Sequence, residues 1–148
     1  MHIEIRVQEA DFSLQVETDS LRLPGTGAVV TFSGLVRDLD GNSPVHGLLL
    51  EHYPGMTENS LLKIAQQAAA RWPLIGITII HRVGRLQAAA QIVFVGVSSA
   101  HREAAFSACE FIMDYLKTKA PFWKKSLQAD GEFWVEAKAS DLGASERW

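Results

Sequence analysis

Apolar and polar residues alternate from His2 to Gln8, putting Ile3, Ile5 and Val7 on one side, and Phe12, Leu14 and Val16 repeat the pattern. Both stretches read as short, half-buried strands. A longer strand is predicted over Gly27 to Arg37, followed by a polar, turn-rich loop from Asp38 to Pro44 and a further strand from Val45 to Tyr53, which Pro54-Gly55 stops. The period then changes. Leu61, Ile64, Ala68 and Trp72 recur at helical spacing behind Thr57, a candidate N-cap, and Pro73 ends the run. Ile77 to Val83 and Gln91 to Ser98 are apolar strands joined across Gly84 to Ala90. A second helix is predicted from about Ser99 to Thr118, with Ala105, Ala108, Ile112 and Leu116 on one face and Pro121 beyond its end. Gly131 to Lys138 reads as a last strand and Asp141 to Trp148 as a tail.

Hairpin-like strand pairs with two principal helices, and no regular strand-helix alternation, predict an α+β fold with a mainly antiparallel sheet. The 148 residues suit one domain spanning 1–148, and 47% hydrophobic against 21% charged residues is the composition of a chain with a packed core. There are no internal repeats. The lone cysteine, Cys109, allows no internal disulfide and falls on the buried face of the second helix, where a small core residue is expected and not a reactive thiol. No apolar run is long enough to span a membrane and Met1 to Ala10 has no signal-peptide core, so a soluble, cytoplasmic protein is expected.

The formal net charge of −3 argues against a general nucleic-acid or anionic-membrane surface. Against that background the stretch from Tyr115 to Ala129 carries Lys117, Lys119, Lys124 and Lys125 and no acid. Like charges held close repel, so the cluster either sits in water or awaits an anion. Pro121, Phe122 and Trp123 interrupt it with rigid, bulky groups that could wall a pocket, which favours the anion site. His2, His46, His52, His81 and His101 show no ligand spacing, so no metal site is expected, and Gly25 and Gly27 precede a strand where a phosphate-cradling loop would need a helix.

His101 and Arg102 open the second helix, whose free N–H groups and dipole already favour an anion. Two readings stay open there: a phosphate or carboxylate seat, or a solvated first turn with Arg102 beside Glu103. Lys117 lies sixteen residues along the same helix, about 24 Å away at ~1.5 Å per residue. One small ligand cannot touch both within one chain. Either there are two sites, or two chains pack so that each helix start meets its partner's helix end, giving two composite sites in a C2 dimer.

Four stretches belong together: Val29-Val30-Thr31-Phe32-Ser33-Gly34 with Val36-Arg37, Leu50-Glu51-His52-Tyr53-Pro54-Gly55-Met56, and Gly96-Val97 followed by Ala100-His101-Arg102. The last is Phe111 to Thr118 running into Ala120-Pro121-Phe122-Trp123-Lys124. In this order they closely resemble the catalytic large subunit family of molybdopterin synthase, and the resemblance covers Gly27 to Trp148, over four-fifths of the chain. It implies an α/β hammerhead fold and an enzyme that converts cyclic pyranopterin monophosphate to molybdopterin by installing two dithiolene sulfurs, with no cofactor of its own. The implied partner is a small ubiquitin-like sulfur carrier whose C-terminal Gly-Gly thiocarboxylate threads into the large subunit, in a heterotetramer built on a large-subunit homodimer.

By position, the resemblance makes Lys117 and Lys124 catalytic. It gives substrate binding to Arg37, His101 and Arg102, with His101 and Arg102 reaching in from the opposite chain, and to Lys125, Ser126 and Lys138. The chain departs from the family pattern at Leu35, where a basic residue is expected in some relatives, at Ser126, where an acid is common, and at Lys138, where an arginine is common. A buried Cys109 agrees with sulfur arriving from an external donor. Two rival functions use the same residues: a non-catalytic scaffold docking a Gly-Gly or acidic tail, and a single-strand nucleic-acid module stacking bases on Phe122, Trp123 and Trp134.

Overall fold

The computed structural model describes residues 1–40, 43–135 and 139–148. Nine strands and four helices follow in the order β1 (His2–Gln8), α1 (Leu14–Ser20), β2 (Ala28–Leu35), β3 (Leu39–Asp40), β4 (Ser43–His52), α2 (Met56–Arg71), β5 (Gly76–Arg82), β6 (Gly84–Gln87), β7 (Gln91–Ser99), α3 (Arg102–Lys119), β8 (Phe122–Gln128), β9 (Gly131–Val135) and α4 (Ala139–Glu146). Among the described residues these elements form an α+β fold with two sheets, in which only the β1–β5 pair is parallel.

The first sheet runs β1-β5-β7-β2. Its strands β5 and β7 are buried on both faces, which is why Ile77 to Ile80 and Ile92 to Val97 read as continuous apolar runs. On one face Ile77, Ile79, Val93, Val95 and Val97 pack with Leu61, Ile64, Ala65 and Ala68 of α2 and Ala105, Ala108, Phe111 and Ile112 of α3. On the other face Ile80 and Phe94 close over Leu21, just past α1, with Phe12 beside them. The second sheet sets β4 between β6 and β8, with β9 on the far side of β8 and β3 on the first residues of β4. Leu50 and Leu86, from β4 and β6, join the same core as α2 and α3.

Three local expectations are corrected. Phe12 to Val16 is not a strand: Ser13 caps α1, its Oγ accepting the Val16 N–H at 3.3 Å, and Leu14 and Val16 lie exposed on the helix. A serine that satisfies a free helical N–H outweighed three alternating apolar residues. Thr57 is not the N-cap of α2. That place belongs to Gly55, at φ +84°, whose N–H donates to the Glu58 carboxylate at 3.2 Å, while Thr57 is buried. The lysine-rich stretch after Pro121 is a strand, β8, and the expected tail forms α4. The predicted strand from Gly131 is β9 as far as Val135, and residues 136–138 lie outside the described part.

Candidate functional site

Lys117 and Lys124 occupy different elements that meet at a short corner. α3 ends at Lys119 with its basic residues in the last turn, where they complement the helix dipole, and Ala120 and Pro121 lead into β8. Pairing with β4 and β9 sets Lys124 opposite Leu50 on one side and Val135 on the other. Side chains alternate along a strand, so Phe122, Lys124 and Ser126 share the face that meets the core, and Trp123 and Lys125 share the outer face. The sequence hides this alternation, because two of the inward-facing residues are polar.

His81 connects the two lysines. It sits on β5 with the core-facing Ile77 and Ile79, 2% exposed, and its ring stacks on that of Phe122 with centroids 3.8 Å apart. Its Nδ1 lies 2.8 Å from the Arg82 carbonyl oxygen, which can only accept, so Nδ1 carries the proton and donates. Burial, opposed by that hydrogen bond, pushes its pKa down to about 3, with Lys124, Lys117 and His52 adding to the depression. The ring is therefore neutral at physiological pH. Both lysines lie near enough to this buried ring to lower its pKa, one from α3 and one from β8. Sequence reasoning passed over His81; its signal was a lone histidine in the otherwise apolar run Ile77 to Val83.

The other candidates divide into groups. β2 pairs antiparallel with β7, and α3 turns back over both, so β2 and α3 run in the same direction. Ala28 pairs with Ser99 at the start of α3, and Leu35 pairs with Gln91 at the far end. Arg37, just beyond Leu35, thus lies toward the Lys117 end, exposed and anchored through Val36, which exchanges backbone hydrogen bonds with Ala89 and Ala90 at 2.8 and 2.9 Å. His101 and Arg102 are exposed at the opposite end, His101 as N-cap of α3 with its N–H on Ser99 Oγ at 3.2 Å. The chain by itself does not bring them to the lysines.

Lys125 faces outward, its Nζ 4.5 Å from the Trp134 ring centroid, away from Lys124. Ser126 is buried and its Oγ accepts from Gln128 Nε2 at 3.1 Å, so its hydroxyl is turned from solvent. Leu35 is 55% exposed at the end of β2. Lys138 lies outside the described residues. Cys109 is buried with its Sγ 3.8 Å from the Val95 carbonyl oxygen, and burial, reinforced by Glu110, pushes its thiol up to about 12. It offers no thiolate for chemistry.

Comparison with known proteins settles the family. Residues 7–119 match the family described as MoaE protein. The chain belongs to the MoaE family, that of molybdopterin synthase catalytic subunits. It is 56% identical over 146 residues, 97% of each chain, to the molybdopterin synthase catalytic subunit of Pseudomonas aeruginosa. A solved structure, the molybdopterin biosynthesis MoaE protein from Burkholderia ambifaria, superposes with a TM-score of 0.84 at 52% identity, covering 100% of this chain and 98% of that one. A chain from the Helicobacter pylori complex of subunits 1 and 2 of molybdopterin-converting factor shares the fold, at 19% identity and a TM-score of 0.74 over 92% and 91% of the two chains. As a member of this family the chain is an enzyme, and among its described residues no helix is long and apolar enough to cross a membrane.

Proposed function

We propose that this chain converts cyclic pyranopterin monophosphate to molybdopterin, taking sulfur from the C-terminal Gly-Gly thiocarboxylate of a small ubiquitin-like subunit. The observation that carries this reading is the short corner that brings Lys117, in the last turn of α3, and Lys124, on β8, to the same end of the fold, near the buried His81. Family membership supplies the reaction class, and the Helicobacter likeness is to a chain taken from a two-subunit complex. An anionic phosphate and a carboxylate-like tail both suit a cationic, walled site.

In this reading the thiocarboxylate sulfur forms a C–S bond to a pterin side-chain carbon while the C–O bond at that carbon breaks and the oxygen substituent leaves with a proton. The small subunit is then held through an acyl–sulfur bond, which water cleaves to release it as a carboxylate and leave the sulfur on the pterin. Lys117 transfers the proton or forms the covalent link, and Lys124 orients the tail or stabilises developing oxyanion charge. Arg37, with His101 and Arg102 of a second copy, holds the phosphate and so supplies orientation. Lys125, Ser126 and Lys138 are the further substrate-binding residues in this reading. The second copy is required because His101 and Arg102 sit at the other end of α3, about 24 Å from Lys117 at ~1.5 Å per residue. The large subunits therefore pair as a homodimer within a heterotetramer.

The outer face also carries Trp123 and Trp134, but Phe122 is turned inward onto His81, so the three aromatic rings do not form one stacking platform for nucleic acid. Incubating the purified chain with thiocarboxylated small subunit and the cyclic pterin phosphate should yield the dithiolene product. Capture of the small subunit without product would leave only a docking scaffold, and binding of single-stranded nucleic acid that weakens steeply with salt would favour the third reading.

A further inference from the structure

Two buried side chains from different elements grip consecutive residues of the corner between α3 and β8. Thr57, near the start of α2, is 0% exposed, and its Oγ1 lies 3.3 Å from the Pro121 carbonyl oxygen, 64 residues away in sequence. The same Oγ1 accepts the Tyr53 N–H at 3.0 Å. The Tyr53 carbonyl, also 3.0 Å from Oγ1, already receives the Thr57 N–H at 2.9 Å. A carbonyl oxygen has two lone pairs, so the Thr57 hydroxyl proton is shared between the Tyr53 carbonyl at 3.0 Å and the Pro121 carbonyl at 3.3 Å, and the second contact ties the start of α2 to the corner. On the next residue, Phe122 lies nearly parallel to His81, the planes 20° apart, and His81 is itself tied to Arg82.

The link is short. Between the last residue of α3 and the first of β8 stand only Ala120 and Pro121, and the ring of Pro121 fixes its own φ. β8 is already held between β4 and β9, so the geometry of this corner sets where the last turn of α3, with Lys117, stands relative to Lys124. Lys117 on α3, Lys124 on β8 and His52 on β4 are all near enough to disfavour a charge on His81, and its ring stacks on Phe122 of β8.

We infer that Thr57 and His81 are positioning residues of the lysine site: by holding Pro121 and Phe122 they set the separation at which Lys117 and Lys124 address one guest. This rests on the proposed catalytic role of the two lysines. Neither residue touches the reacting atoms; each acts through the corner.

The test uses the full chain with its thiocarboxylated small subunit. Thr57→Val keeps the shape and removes the hydroxyl, Thr57→Ser keeps the hydroxyl, and His81→Leu removes the ring stack. Thr57→Val and His81→Leu should lower kcat at least tenfold, because displacement of about 1 Å can cost 10²-fold. KM for the pterin phosphate should stay within about twofold, since the phosphate is held elsewhere. Thr57→Ser should restore kcat. A short amine-reactive cross-linker, read by peptide mapping, should join Lys117 to Lys124 in wild type and Thr57→Ser and lose several-fold in yield in Thr57→Val.

Unchanged kcat and cross-link yield in folded Thr57→Val and His81→Leu would overturn the inference. So would failure of both variants to fold, which would assign these residues to stability alone. Absence of product with the wild-type chain would instead sink the proposed reaction, and the cross-link pattern would still report on the corner.

Discussion

The indole N–H of Trp148 donates to the Asp114 carboxylate at 2.6 Å, and the same Oδ2 accepts from Arg147 at 2.9 Å. The Trp148 ring meets Trp72 and Phe111 edge-on at 5.6 and 5.7 Å, and its carbonyl oxygen accepts from Arg71 at 2.8 Å. The segment after α4 thus docks on α2 and α3 of its own chain. Trp148→Ala should lower stability by about 2–3 kcal/mol, less than the loss of a wholly buried tryptophan because part of the ring is exposed. Asp114→Ala should cost about 2 kcal/mol by stripping two donors of one acceptor. Urea denaturation at neutral pH measures both.

The separation of His101 and Arg102 from Lys117 along α3 makes a sharper prediction. With pterin phosphate well below KM, Lys117→Ala and Arg102→Ala should each be nearly inactive when pure, the first through kcat and the second through KM. If each site takes Lys117 from one copy and Arg102 from the other, a refolded equal mixture contains heterodimers with one intact site. Random pairing makes half of the dimers mixed, each with one working site of two, so about a quarter of wild-type activity should return. Activity that stays at the level of the pure variants places both groups in one chain's site and refutes the composite arrangement.

His81 makes stability depend on pH in a defined window. Its pKa is about 3 when folded and near its ordinary 6.5 when unfolded, so between these values the unfolded chain binds a proton that the folded chain does not. Stability from this group is therefore complete above about pH 6.5 and is lost as pH falls toward 3, at up to about 1.4 kcal/mol per pH unit. Wild type should lose more stability than His81→Phe between pH 7 and pH 4. Parallel denaturation curves for the two proteins across that range would contradict a buried, neutral His81.

Much of this architecture was legible in the sequence because burial and periodicity coincide there. Leu61, Ile64 and Ala68, and Ala105, Ala108 and Ile112, are core residues at helical spacing, and the runs of β5 and β7 are buried on both faces. Legibility failed where a polar residue faces inward or where capping decides. β8 turns Lys124 and Ser126 toward the core, so its alternation is invisible, and Ser13 overrides the strand pattern before α1. α4 carries Gly143 and a weak apolar face, which leaves little for periodicity to detect. Within the site, the lysine cluster and the helix-length argument were readable, but the role of Thr57 was not. A threonine two residues past Gly55 looks like a cap until β8 is known to return Pro121 beside it.

Cys109 bears on the origin of the sulfur. With its thiol pushed up to about 12 and buried against Val95, it should not react with a thiol reagent in the native state, and one equivalent should react on unfolding. Prolonged treatment of the native enzyme with iodoacetamide should leave turnover with thiocarboxylated small subunit intact. Rapid native labelling with matching loss of activity would mean that this cysteine takes part in sulfur transfer.

Gly27 joins the first sheet to the start of α3. Its N–H donates to the Ser99 carbonyl at 3.0 Å, and a Cβ added there would lie 2.2 Å from the carbonyl oxygen of Ala100, the residue before His101. No flexible side chain can yield, so the backbone leading into His101 and Arg102 must shift. Gly27→Ala should cost about 1–3 kcal/mol as overpacking and raise KM for the pterin phosphate, because the groups displaced are those assigned to the phosphate and not the lysines. Gly143→Ala is the control: nothing lies within 4 Å of its added Cβ, and a helical glycine replaced by alanine should gain about 0.5–1 kcal/mol. A Gly27→Ala enzyme with unchanged KM and reduced kcat would show that His101 and Arg102 take part in the chemical step, and the division of labour between the two ends of α3 would then have to be redrawn.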